Sequence, residues 1–590
     1  MTDAFTPRWW NQSSNRPGMY QRIRVFDVVD FTGGLNLVSD SFKLAPNESP
    51  DMCNVDVDRR GGFQVRRGVQ PYTTDVLLNS VSVASDPKSL WSFTSSGTKY
   101  ILAAVGGEVR YSTGGSWTQV LNSSSVAVGS TTEIPRAATF KERNYIVRGD
   151  ANVHRFEGTA TAVTMGTIFN DNHEAPTAWT SAGNIPHAKL ITSHAGYLWV
   201  ANTFESGVQY KSRLRFSHYL QPENFASDDY IEVDTGKDGD EITAVIPVGD
   251  HLLVCKRNST YAVYGDNIDN FSVVCLSQTI GCVSQEACVE TQYGVAIFDH
   301  TLGLHVYSGK ASPVWEFAQL WPALRDGLIP QEKVDLVQMG WVNGRLWIGV
   351  PWSDNPTYVR GATFVWNPSL KPGGSYTRYD FSDGTNRYGG AGPFLVGHIL
   401  DEWCASIGGT SRLMALEQEE YGDDLVGNGK LVVINAWYTT KWFDAGQASM
   451  KKRWRRMEAV LQTDLPYELP VTVHFDFDKA NNPSKPPRQF TLKASVYNDA
   501  TALPAYWGDG TTRSTDTKWG TDADTFGSGE AAWAADNPQR NSVDRGAGLG
   551  LARSVALTFG GPVPMVGTSD VPVFWGVDAL VFKFVPRRIR

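Results

Sequence analysis

The chain has 590 residues, 62 acidic and 53 basic, and its net charge of −9 argues against a protein whose main task is gripping phosphate backbones. A hydrophobic share of 41% and a charged share of 19% exclude a disordered chain, and no run of about 18 apolar residues is present to form a membrane-spanning helix. Six cysteines without a CxxC pair exclude a disulfide scaffold and give no support to a zinc or thioredoxin-type site.

The N-terminus, MTDAFTPRWWNQSSNRPG, lacks the charged-then-apolar pattern of a secretory leader, so synthesis in a cytoplasm as a soluble protein is expected. Residues 1–78 form the first region. Within it FTGGLNLVSDSFKLAPNESPDMCNVDVDRRGGFQVRRGV carries two glycine turns, a proline bend, a central Asn and a charged hairpin, with no helical run of apolar residues. Such a segment has little to pack on by itself. It reads as an extended arm that gains its order on a neighbouring blade or subunit.

Residues 79–428 repeat. SFTSSGTKYILAAVGGEVRYSTGG, ATFKERNYIVRGDANVHRFEG, LITSHAGYLWVANTFESGVQYKSRLRFSHY, AVIPVGDHLLVCKRNSTYAVYG, CVETQYGVAIFDHTLGLHVYSG and VQMGWVNGRLWIGVPW share one plan. Each is an apolar strand, a turn, a second apolar strand, a loop and an alternating strand. The turn markers Gly97, Asn144, Gly196, Asp250, Gly294 and Gly344 are spaced by 47, 52, 54, 44 and 50 residues. Hairpin turns need φ > 0, which accounts for Gly, Asn and Asp at these places. A weaker seventh copy follows in FLVGHILDEWCASIGGTSRLMALEQ. Repeats of this length with about four strands predict a β-propeller of six or seven blades, because one blade cannot bury both of its faces but a ring of blades can. A β-solenoid is the competing reading, with shorter and more regular repeats.

Residues 429–590 change rhythm. LVVINAWYTTKWF, KRWRRMEAVLQT, PVTVHFDFD, RQFTLKASV, ARSVALTFGG and ALVFKFV have period-two patterning and predict a β-sandwich-like C-terminal domain, making the whole chain all-β. A long loop rich in Gly, Asp, Thr and Trp interrupts it. Trp507, Trp519 and Trp533 in that loop are candidates for ligand contact, by stacking on a sugar, or for burial against another subunit. The basic clusters Lys451–Arg456 and Arg587–Arg590 read as a solvated strand edge and a tail.

No catalytic motif stands out: GxSxG, HExxH, a Walker loop and GxGxxG are all absent. Ser112–Trp117, STGGSW, lacks the aspartate of a sialidase Asp box and reads as a blade hairpin. His194, His251, His300 and His305 read as core or rim residues. Asp234, Asp238, Asp240 and Glu241 form a weak metal candidate that could suit Ca²⁺, although the loop pattern is broken by Gly239. A solvated loop is the competing reading. No cofactor is expected and no residue is nominated as catalytic.

The opening segment resembles the N-terminal arm of bacteriophage tail proteins built on a propeller. The residues concerned are Gly33, Gly34, Leu35 and Asn36, then Glu48, Ser49, Pro50, Asn54 and Val55, then Gly61, Gly62, Arg66, Arg67 and Gly68. A second stretch, from RLRFSHYLQPENF through KRNSTYAVYG to GCVSQEACVETQYGVAIFDHTLGLHVYSG, is similar to the central blades of the same family. That family includes tail nozzle and hub proteins of short-tailed phages and minor tail proteins of long-tailed phages. The resemblance covers most of 30–320 and implies a structural virion protein rather than an enzyme. It would assemble with other tail proteins, as a homo-oligomeric ring or other symmetric assembly, and contribute to host attachment, with DNA as transient cargo and no membrane insertion. Gly33–Asn36, Asn54 and Arg66–Gly68 would be its assembly contacts. The alternatives are a carbohydrate-binding or carbohydrate-degrading propeller carried on the particle, and a cytoplasmic propeller scaffold.

Overall fold

The computed structural model describes residues 23–586 except 74, 80, 171–182, 235–239, 310–311, 371–372, 396–401, 447, 464–466, 477–485, 495–505, 509–516, 519–529, 533–538, 546–548, 562 and 564–571. Alternating and apolar strands separated by left-handed turns give an almost wholly β chain, and the one α-helix among the described residues is Trp321–Arg325. The chain divides into two units: residues 69–418 with 424–430, and residues 1–68 with 419–423 and 431–590.

The first unit is a β-propeller. Among the described residues seven sheets follow one another, and their innermost strands are Ser89–Ser95, Arg136–Phe140, His187–His194, Ile242–Val248, Cys288–Thr291, Gln338–Val342 and Ala391–Phe394. Each innermost strand touches the next, and Ala391–Phe394 returns to Ser89–Ser95, so the ring closes. The seventh sheet takes its outer strand from the front of the unit: Gln70–Pro71 pairs antiparallel with Leu413–Ala415.

The apolar clusters lie between blades, where the repeat argument requires them. Leu190, Trp199 and Phe216 of the third blade pack with Val245, Val254 and Tyr261 of the fourth. Leu395, Cys404 and Leu413 of the seventh pack with Leu77, Leu90 and Ile101 beside the first. Sequence turn markers and observed turns agree at Ser96–Gly97, Ala195–Gly196 and Asn343–Gly344, where both residues have positive φ. In the second blade the turn is instead Lys141–Glu142, at φ +47° and +58°, and Asn144 lies inside the strand Arg143–Val147.

The second unit is a sandwich. One sheet runs in the order Gln539–Arg545, Lys452–Thr463, Gly576–Pro586, Phe63–Val65, Val55–Val57, with Arg24–Val28 added along Gly576–Pro586. The other runs Asp51–Cys53, Ala436–Thr439, Val555–Gly561, Tyr467–Phe475, Arg488–Ala494. Phe63 of the first sheet stacks on Tyr438 of the second at 4.2 Å and meets Phe559 at 5.8 Å, so a residue of the N-terminal segment sits in the middle of this core. The expectation that this segment orders itself on a neighbouring blade or subunit is therefore corrected for residues 24–65, whose strands pair with those of the C-terminal domain. Open edges of the C-terminal strands and the apolar faces of Phe26, Val55 and Phe63 are satisfied within the chain. The cluster Lys451–Arg456 falls largely on Lys452–Thr463, which is paired on both sides rather than at an edge.

Candidate functional site

The residues carrying the N-terminal resemblance converge in the sandwich unit, and Asn54 is the pivot. It has φ +56° and lies between Asp51–Cys53, in one sheet, and Val55–Val57, in the other, so the chain changes sheets at this residue. Asn tolerates the left-handed conformation better than most side chains. Its amide also fastens the corner: Nδ2 donates to Asn435 O at 2.8 Å, and Oδ1 accepts from Arg66 Nε at 2.9 Å.

Arg66 continues the network. Its Nη1 and Nη2 donate to Asp423 Oδ1 and Oδ2 at 2.9 and 2.6 Å, and Nη1 also reaches Arg67 O at 2.9 Å. Side-chain exposures of 1% and 2% make this a fully buried, two-pronged ion pair. Planar guanidinium and carboxylate match edge to edge, which lysine could not reproduce. Gly68 donates its N–H to Glu420 O at 2.8 Å, and a Cβ there would stand 1.9 Å from Gly422 O. Only glycine permits that approach.

The upstream half of the motif is built the same way. Gly34–Leu35 pairs in parallel with Glu48–Ser49, and Asn36 N donates to Ser49 O at 2.9 Å while its Oδ1 accepts from Val38 N at 2.9 Å. A Cβ on Gly33 would lie 2.3 Å from Asn47 O. Gly33, Gly34, Leu35, Asn36, Asn54, Arg66 and Gly68 are thus buried, and the polar contacts described for them lie within the chain. Reading them as contacts to another subunit is replaced by an internal role. Arg67 alone of the set is exposed.

A second polar arrangement lies in the propeller. Arg136, opening the innermost strand of the second blade, donates Nε and Nη2 to Glu286 Oε1 and Oε2 at 2.8 and 2.9 Å, and Nη1 to Lys189 O of the third blade at 3.1 Å. Glu286 precedes the innermost strand of the fifth blade, so this pair reaches across the ring of innermost strands. Burial works against both charges. The partner's charge and hydrogen bonds outweigh it, holding Arg136 above and Glu286 below their usual ranges.

The remaining candidates do not converge. Asp234 accepts from Tyr261 Oη at 2.5 Å, Asp240 from Asn258 N at 3.0 Å and Ser259 Oγ at 2.8 Å, and Glu241 from Asn202 Nδ2 at 3.1 Å. Asp238 lies outside the described residues. Among those described, no three acidic, His or Cys side chains are grouped to hold a metal, so the Ca²⁺ candidate is not assembled. Trp519 and Trp533 lie outside the described residues, as does Arg587–Arg590, and Trp507 is placed only as backbone in Tyr506–Gly508. Ser112–Trp117 joins two strands of the first blade as a hairpin. His251 faces Asp250 Oδ1 at 2.9 Å and Tyr307 Oη at 3.0 Å inside the fold.

No protein-family profile matches this sequence, and no curated protein matches it. Among solved structures, the Dos1 propeller is 11% identical, with 62% of this chain and 91% of that one covered and a TM-score of 0.33. YCF48 bound to D1 peptide is 7% identical, with 62% and 98% covered and a TM-score of 0.33. An exo-β-1,3-galactanase from Phanerochaete chrysosporium is 9% identical, with 88% and 99% covered and a TM-score of 0.23. Likenesses at this level say nothing of shared ligands or reactions.

Proposed function

We propose that this chain is a structural component of a bacteriophage virion tail, a minor tail, tip or nozzle protein that acts by assembly rather than by catalysis. One observation carries the reading: the residues that resemble the tail-protein arm are those that frame the sandwich unit, from the Asn54 corner to the Arg66–Asp423 pair. What is recognisable in the chain is architecture. Its partners in this reading are further copies of itself, other tail proteins and the host envelope, with DNA passing only as cargo. Because Arg136 and Glu286 join across the propeller, the DNA path would run between copies and not along a blade axis. A net charge of −9 suits a surface that DNA must pass without adhering.

Mass spectrometry of gradient-purified phage particles tests the proposal. Peptides from both units should be found in the virion at a fixed ratio to other tail proteins. Their absence from particles, with the protein abundant in the infected cell, would overturn it.

The carbohydrate reading draws on one cleft in the sandwich unit, lined by Phe42, Asp444, Lys451, Asp476, Arg553 and Ser554. An aromatic ring beside carboxylates and cations suits a sugar. Binding of host-envelope glycans that Phe42→Ala abolishes would favour that role.

A further inference from the structure

Arg360 stands in the propeller, between strands Arg345–Val350 and Ala362–Asn367 of the sixth blade, and takes no part in the contacts above. Its side chain is buried, at 6% exposure. A guanidinium has five N–H donors. Among the described residues the Arg360 side chain makes one hydrogen bond, from Nη2 to Gly392 O at 2.5 Å, and its Nε is buried without an acceptor. Among the described residues no carboxylate comes within ion-pair distance of it, unlike Arg66 or Arg136.

A second orphan lies beside it. Gln338 is 4% exposed, and although its Nε2 donates to Lys88 O at 3.3 Å, its Oε1 has no donor among the described residues. Both orphan atoms crowd the same glycine: a Cβ on Gly392 would lie 2.9 Å from Gln338 Oε1 and 3.0 Å from Arg360 Nε. Here a buried unused donor and a buried unused acceptor lie beside one glycine, and leaving such groups bare is costly.

Chain order places these groups. Gln338 opens the innermost strand of the sixth blade, Gly392 is second in that of the seventh, Lys88 immediately precedes that of the first and Arg136 opens that of the second. The innermost strands are repeats of one another and run the same way, so the group gathers at one end of the axis. The side chains of Arg136 and Glu286 keep 15% and 14% exposure, so solvent reaches that end. Burial lowers the Arg360 pKa to about 10, against the pull of Asp86 and Glu286, which leaves it cationic at neutral pH.

We propose that Arg360 and Gln338 form a site for a small protonated oxyanion of the hydrogenphosphate class at this end of the propeller axis. Its oxygens would accept from the unused guanidinium N–H groups, and its P–OH would donate to Gln338 Oε1. Fully ionised sulfate offers the charge but not the donor, so phosphate is preferred.

Calorimetric titration of the full chain with sodium phosphate at pH 7 and constant ionic strength tests this, with sodium sulfate and sodium chloride as parallel arms. Saturable phosphate binding is expected, with sulfate about tenfold weaker and chloride silent. Gln338→Glu supplies Arg360 with a carboxylate inside the fold, so that variant should keep its circular dichroism spectrum and thermal midpoint and lose phosphate binding. Arg360→Gln should lose it too. If wild type shows no saturable phosphate binding, or Gln338→Glu binds as wild type does, ordered water alone satisfies these groups and the site does not exist.

Discussion

Arg66 and Asp423 lie 357 positions apart and bury their charges against each other, with Asn54 Oδ1 taking the remaining Nε–H. Removing one partner strands the other charge out of water. Asp423→Ala should therefore destabilise the sandwich unit by about 3–5 kcal/mol in denaturant unfolding, whereas Arg66→Met with Asp423→Leu should recover most of that loss. Arg67→Ala, at the exposed neighbour, should change stability by less than about 0.5 kcal/mol. A second residue predicts a pH effect. His154 is 1% exposed, its Nε2 has no partner among the described residues, and burial, helped by the charge of Arg148, pushes its pKa down to about 4. The folded chain keeps it neutral while the unfolded chain takes up a proton below about pH 6.5, so stability is lost as pH falls between those two values. Between pH 7 and 4.5 this group should remove about 2–3 kcal/mol, and His154→Gln should flatten that part of the curve in equilibrium unfolding. Arg66 was legible in the sequence as part of a motif. Asp423 was not, because no spacing rule links residues brought together only by the fold.

Hairpins show what period and composition can and cannot reveal. The turns at Ser96–Gly97, Ala195–Gly196 and Asn343–Gly344 were readable because glycine marks a position of positive φ. Lys141–Glu142 does the same work with two residues that resist that conformation, so the sequence pointed to Asn144 instead, two positions beyond Glu142. Left-handed backbone costs such residues about 1 kcal/mol each. The neighbours hold the turn: Lys141 Nζ donates to Leu220 O at 2.9 Å, and Glu142 Oε2 accepts from Ser96 N at 3.3 Å. These contacts are exposed and contribute little. Replacing Lys141–Glu142 by Asn–Gly should thus raise propeller stability by about 1 kcal/mol, read as a higher thermal midpoint of that unit. A lower midpoint would mean that the links to Leu220 and Ser96 outweigh the relieved backbone.

At the scale of the whole molecule, the repeat period located the propeller but misplaced its beginning. The readable repeat starts near residue 79, yet Gln70–Pro71 forms the outer strand of the seventh sheet and Leu77 is fully buried against Leu90, Ile101 and Leu413. A strand of two residues has no period to read, and its partner lies more than 300 positions away. The sandwich is legible in its C-terminal strands but not in its N-terminal ones, for the same reason: Arg24–Val28, Asp51–Cys53 and Phe63–Val65 pair with strands beyond residue 430, and such long-range pairing leaves no local mark. Fragments make this measurable. A piece spanning 69–430 should fold as a propeller with a cooperative thermal transition. The same piece begun at 79 loses the closing strand and the Leu77 side chain, worth about 2–5 kcal/mol for the leucine alone, and should melt lower and be cut faster by protease. Residues 431–590 alone would leave Tyr438, Phe559 and Trp575 without Phe63, which touches all three. That fragment should bind a hydrophobic dye and lack near-ultraviolet dichroism until a peptide of residues 23–68 is added. If it folds without the peptide, the N-terminal strands decorate the sandwich and do not complete it.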